Sequence, residues 1–128
     1  MVNQKLDILV VEDSEADFIL LGELLKKAVL EYDLRLTNLA KLADAFRAVH
    51  KQKFDVVMLD LNLLDIQGIA SVAALRAEIP NTPIVVCSGM EDPRLAKEAV
   101  LCGAQSYVVK GQETVQLLRQ IIHNAIAK

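Results

Sequence analysis

Residues 54–60, FDVVMLD, restrict the fold of this chain more than any other stretch. Val56, Val57, Met58 and Leu59 form an unbroken apolar run that stops at Asp60. A short run of this kind has no polar face, so it suits a strand buried on both sides in a parallel sheet. The carboxylate then stands where the strand leaves the sheet. In open α/β sheets that edge is where ligands bind.

Three more runs follow the same design, and a fourth departs from it. Residues 5–11 (KLDILVV) read as a strand followed at once by Glu12 and Asp13. Residues 82–88 (TPIVVCS) read as a buried strand, with Pro83 tolerated at its start, and residues 106–109 (SYVV) as a strand with Lys110 at its end. Residues 33–39 (DLRLTNL) alternate apolar and polar side chains, as a half-exposed or edge-proximal strand does. Between these runs the apolar spacing becomes helical. Helices are expected at 16–30, 41–51, from 69 to a stop before Pro80, at 93–101 ending near Gly103, and at 113–127. Ser14 and Asp92 suit N-caps, Glu15 and Asp17 suit the positive end of a helix dipole, and Pro93 suits a first turn. Strictly alternating strands and helices imply a doubly wound α/β fold: five βα units around a parallel five-stranded sheet, with helices on both faces.

A chain of 128 residues has room for one domain with a real core, so 1–128 reads as a single unit. Its net charge of −3 comes with no Lys/Arg stripe, and its few aromatics form no stacking series. Nucleic-acid binding by this domain is therefore not expected. No run approaches the ~20 apolar residues of a membrane span. The start, MVNQKLDILVVED, resembles neither a signal nor a transit peptide, and the expected location is cytoplasmic. Cys87 and Cys102 lack metal-ligand spacing and read as free thiols, one in the core and one at a helix end. No GxGxxG or GxxxxGK[ST] follows any strand, which excludes the common nucleotide-binding folds.

If the strands are parallel, Glu12, Asp13, Asp60, Ser88 and Lys110 share one edge. Three crowded carboxylates raise one another's pKa unless a cation lies among them. Hard oxygen donors without Cys or His suit Mg²⁺, which prefers one or two carboxylates plus phosphate oxygens. Asp60 has the chemistry of a nucleophile that forms an aspartyl phosphate. Lys110 and the Ser88 hydroxyl would then hold phosphoryl oxygens.

VVEDS, MLDLNL, VVCSG and YVVKG, in this order and at these intervals, resemble the receiver domain of two-component response regulators. The likeness runs from about Leu6 to the last helix. It implies a flavodoxin-like fold with strand order 2-1-3-4-5. It also implies phosphoryl transfer to Asp60 from a histidine kinase or histidine phosphotransfer protein. By the same resemblance Glu12 and Asp13 are the acidic pair, and the Asn62 backbone carbonyl completes the metal site. Lys110 is the phosphate-binding lysine; Ser88 and Tyr107 are the switch hydroxyl and switch aromatic. The output surface would be the fourth helix, fifth strand and fifth helix, facing an effector or output domain and allowing a homodimer. The domain would be a signalling module with self-catalysed transfer and dephosphorylation, not an enzyme acting on external substrate. Two positions depart from the family pattern. Leu64 stands where Pro is frequent, and Gly111 replaces the Pro that usually follows the lysine, so the Lys110–Gly111 peptide is expected to be trans.

Other readings compete. Taken singly, Glu12, Asp13 and Ser14 could simply start a helix, Ser88 could satisfy backbone, Lys110 could be solvated, and Tyr107 could pack on the last helix. His50 and His123 read as surface residues and Asp65 as a solvated loop residue. A phosphatase using Asp60 as nucleophile lacks the DxD spacing after the first strand and any substrate-capping insertion. A non-phosphorylated pseudo-receiver, acting purely as an interaction module, is the main alternative.

Overall fold

The computed structural model describes residues 3–63 and 65–127, so the Leu64 departure lies outside the described residues. Five strands alternate with five helices: β1 (Gln4–Val11), α1 (Glu15–Ala28), β2 (Tyr32–Leu39), α2 (Leu42–Lys51), β3 (Val56–Asp60), α3 (Ala70–Glu78), β4 (Ile84–Ser88), α4 (Pro93–Leu101), β5 (Ser106–Val109) and α5 (Val115–Ile126). The strands form one sheet in the order β2-β1-β3-β4-β5, and every pairing is parallel. The flavodoxin-like fold expected from the sequence is therefore the fold observed. β2, read as half-exposed, is an edge strand.

The two-residue period of a strand divides the core into two layers. Leu6, Ile8, Val10, Val56, Met58, Val85, Cys87 and Val108 pack with Leu21 and Leu25 of α1 and with Leu118 and Ile122 of α5. Leu9, Val11, Val57, Leu59, Ile84 and Val86 pack with Leu42 of α2, Val72 and Leu75 of α3, and Ala99 of α4. β3 and β4 are buried along their whole length. That is why these two runs are continuously apolar in the sequence.

Element ends differ from expectation for local reasons. β3 starts at Val56, although Phe54 ahead of it is only 4% exposed. β4 starts at Ile84, and Pro83, which lacks an N–H, contributes its carbonyl to the Val57 amide. α1 stops at Ala28, where the Val29 amide closes onto the Leu25 carbonyl. α5 begins two residues later than expected. Thr114 caps it through the Leu117 amide, and the Glu113 carboxylate turns back to the Gly111 amide. Ser14 and Asp92 cap α1 and α4 as anticipated.

Four side chains do more than the sequence reading assigned them. Asp65 accepts from the Leu42 and Ala43 amides, so it caps α2, whose own N-cap residue Lys41 makes no side-chain cap bond. Those amides outweigh the effect of burial and hold the Asp65 carboxyl below its usual range. His50 and His123 were both read as surface residues. His50 lies 2.8 Å from Glu78, while His123 is only half-exposed and its Nε2 lies 3.5 Å from Glu31. Arg76 of α3 donates to the carbonyls of Gly103, Ile79 and Thr82. Gly103 has φ +115, and a Cβ there would come within 2.8 Å of the Arg76 side chain, so the clamp leaves no room for one.

Asp65→Ala should lower unfolding stability in urea by about 1 kcal/mol, the usual worth of a helix cap. Because the folded-state carboxyl is depressed, this contribution is present above the usual carboxylate range and lost as pH falls through the folded value. The gap between wild type and variant should therefore close in acid.

Candidate functional site

Strand parity brings the site together. Glu12 continues the Leu6–Ile8–Val10 series, Asp60 continues Val56–Met58, and Lys110 follows Val108, all on the layer shared with α1 and α5. At the strand ends these three side chains meet. Lys110 Nζ lies 2.5 Å from Glu12 Oε1 and 3.3 Å from Asp60 Oδ2. Glu12 and Asp60 are 5% and 4% exposed. Together with half-buried Asp13 they place carboxylate oxygens within 4.8 Å of one another.

Backbone contacts fix each member. The Glu12 amide donates to the Leu39 carbonyl, and the Asn38 side-chain amide holds the Val10 and Glu12 carbonyls. The Ser14 amide donates to Glu12 Oε2 at 3.1 Å. The Asn62 amide donates to Asp60 Oδ1 at 3.1 Å, so one carboxylate oxygen faces the β3–α3 loop and the other faces Lys110. The loop is closed by a Gly68 amide to Leu61 carbonyl bond of 2.7 Å and anchored by buried Leu63. The Lys110 amide donates to the Ser88 carbonyl at 2.8 Å. Gly111 after it has φ +90, a conformation open to glycine, and no peptide is cis among the described residues, in line with the expected trans bond.

Burial pushes Glu12 up to about 7, against the hydrogen bonds from Lys110 and the Ser14 amide, and the neighbouring Asp60 adds to the rise. Burial works against the Lys110 ammonium, but hydrogen bonds to Glu12 and Asp17 and the Asp60 charge outweigh it and hold Lys110 above the ordinary lysine value. The site therefore keeps a permanent cation among carboxylates. Cys87, on the strand beside it, is a core thiol that burial pushes up to about 12. It takes no part.

Ser88 and Tyr107 lie on the other side of the sheet edge. Tyr107 packs with the α2–α4 layer. Ser88 Oγ accepts from the Met90 amide at 3.2 Å, and the Tyr107 hydroxyl donates to the Met90 carbonyl at 2.6 Å. One peptide segment thus ties both residues. A cleft of about 460 Å³ opens here between Asn62 and Gln67 on one side and Gly89 and Met90 on the other.

Glu12, Asp13 and Asp60 cluster beside Lys110, Asn62 and Ser88 border the neighbouring cleft, and Tyr107 is linked to it through Met90. Sequence reasoning missed Asp17, read as a helix-dipole residue, whose Oδ2 lies 2.9 Å from Lys110 Nζ. It also missed the Met90 backbone bridge. The first turn of a helix that directly follows Glu12 and Asp13 was the available signal for Asp17. The donor set fits Mg²⁺, since every ligand is a hard oxygen and no Cys or His belongs to the cluster.

The family model described as the response regulator receiver domain matches residues 8–122. The transcriptional regulatory protein ZraR of Escherichia coli (strain K12) is 30% identical over 110 residues, covering 86% of this chain and 24% of that protein. The chemotaxis protein CheY of Thermotoga maritima is 27% identical over 103 residues, covering 80% of this chain and 83% of that protein. The crystal structure of a putative response regulator from Chloroflexus aurantiacus superposes with a TM-score of 0.85 at 21% identity, covering 98% of this chain and 100% of that one. The chain spans only about a quarter of the length of the ZraR proteins that it matches.

Removing the ammonium leaves two buried carboxylates without their cation. Lys110→Met should lose about 1–3 kcal/mol of unfolding stability in metal-free urea titrations, with the partial exposure of Lys110 moderating the loss. An unchanged midpoint would show that Lys110 does not neutralise the pair.

Proposed function

The chain belongs to the response regulator receiver domain family, and on that premise we propose that Asp60 accepts a phosphoryl group from the phosphohistidine of a histidine kinase or histidine phosphotransfer protein. Receiver domains bind Mg²⁺ at an acidic pocket, and here Glu12, Asp13, Asp60 and the Asn62 carbonyl would hold it. The observation that carries the reading is the buried Asp60 carboxylate, with an ammonium on one oxygen and a backbone amide on the other.

An Asp60 carboxylate oxygen attacks phosphorus and forms an O–P bond while the P–N bond to the donor imidazole breaks. The electron pair stays on the leaving nitrogen, which takes up a proton. Lys110 turns its donors to a phosphoryl oxygen and balances the charge spread over the equatorial oxygens. Mg²⁺ held by Glu12, Asp13 and Asp60 would supply further charge neutralisation during transfer. In a separate dephosphorylation step water attacks phosphorus, the bond from phosphorus to the Asp60 oxygen breaks with its electron pair left on the carboxylate, and inorganic phosphate is released. Asn62 and Met90 flank the approach to phosphorus and govern how readily water reaches it.

The output follows from the Met90 bridge. The Ser88 hydroxyl uses its oxygen to accept from Met90, so its proton is free to donate to a phosphoryl oxygen. Moving Ser88 inward loosens the Met90 amide and carries the carbonyl to which Tyr107 is tied. The β4–α4 loop and the face formed by α4, β5 and α5 shift with it. That face would engage an effector or output domain, or a second copy. Phosphorylation shifts this equilibrium only as far as it binds one arrangement better than the other.

Intact mass after acetyl phosphate and Mg²⁺ tests the acceptor. One phosphoryl adduct is expected on the wild type, with none after prior chelation and none on Asp60→Asn. No adduct on the wild type would leave a pseudo-receiver, and an adduct on Asp60→Asn would mean a different nucleophile. Tyr107→Ala should be phosphorylated like the wild type while losing most of the phosphate-dependent change in amide spectra of the α4–β5–α5 face. Equal spectral change in both would remove Tyr107 from the switch.

A further inference from the structure

Asp17 has no place in the chemistry above, yet its carboxylate reaches into it. A lysine ammonium has three donors, and around Lys110 stand Glu12 at 2.5 Å, Asp17 at 2.9 Å and Asp60 at 3.3 Å. Glu12 and Asp60 belong to the carboxylate cluster that suits a metal; Asp17 does not. Asp60 is also the group that changes on phosphorylation. When metal and phosphoryl group engage Glu12 and Asp60, Asp17 is the one partner left unchanged.

Little else holds the lysine head. Lys110 borders a cleft of about 260 Å³ lined by Leu20, Leu24 and Gly111. Beyond its two chain neighbours, a Cβ built on Gly111 would meet nothing within 4 Å, so this side of the cleft is open. A long flexible stem beside open space needs an anchor to stay over the site. Asp17 is itself held, because its amide donates to the Ser14 cap at 3.2 Å in the first turn of α1.

We infer that Asp17 is a positioning residue, which keeps the Lys110 ammonium over the reacting phosphoryl group while Glu12 and Asp60 are engaged elsewhere. The inference rests on the phosphoacceptor reading and adds a role that α1 plays within the site itself.

Phosphorylation by saturating acetyl phosphate with Mg²⁺, followed by intact mass, should be compared in wild type, Asp17→Asn, Asp17→Glu, Lys110→Ala and the double variant Asp17→Asn/Lys110→Ala. The maximal rate constant should fall about three- to tenfold in Asp17→Asn, with half-saturation by the donor unmoved. Asp17→Glu should recover most of the rate. In the Lys110→Ala background, Asp17→Asn should cause no further loss, since its effect passes through the lysine. In donor-free protein the lysine ¹³Cε resonance that Lys110→Ala identifies should move in Asp17→Asn and return in Asp17→Glu. A wild-type rate in Asp17→Asn, or an equal loss with and without Lys110, would overturn the role of Asp17 while leaving Asp60 as acceptor. A wild type that gains no phosphoryl group on Asp60 would overturn the reading beneath it.

Discussion

Glu12 and Asp60 can be buried side by side because the Lys110 ammonium lies between them. A buried carboxylate without a partner is expensive, and two in contact repel each other as well. The demand reaches far along the chain. β1, β3 and β5 must run parallel and must end in register at the same edge, or the cation misses the anions. The Lys110 amide is pinned to Ser88 of β4, so the central strands jointly set where the ammonium stands.

Much of this was legible in the sequence. Four of the five strands are apolar runs that stop at a polar residue, and a parallel sheet brings all such stops to one edge. Parity carried further: Glu12, Asp60 and Lys110 each fall on the phase of their strand that faces α1 and α5. What escaped depends on loops and on partners distant in sequence. Asp65 caps a helix 23 residues away from it, and Asp17 reaches a lysine 93 residues away. No local pattern of propensity encodes such contacts. The Met90 bridge uses backbone atoms and leaves no mark on residue identity. The histidines gained acidic partners for the same reason, from elements remote in the chain.

The division of the core into two layers also divides the site. Charge is concentrated on the α1–α5 side, where Glu12, Asp17, Asp60 and Lys110 meet. The hydroxyls of Ser88 and Tyr107 stand on the side of α2–α4, joined through one neutral peptide segment. In the proposed switch, electrostatic change on one layer would reach the other through the strand ends, without rearrangement of the packed interior of the sheet.

The Arg76 clamp gives α4 the mechanics of a lever. Its guanidinium rivets the chain at Gly103, just past the C-terminal end of that helix, to the segment between α3 and β4. The opposite end begins at Asp92, two residues beyond Met90. A rod pinned at one end pivots, and its travel grows with distance from the fulcrum. In the proposed switch, a small shift of the Met90 peptide would therefore be felt most at the first turn of α4 and least at the pinned turn.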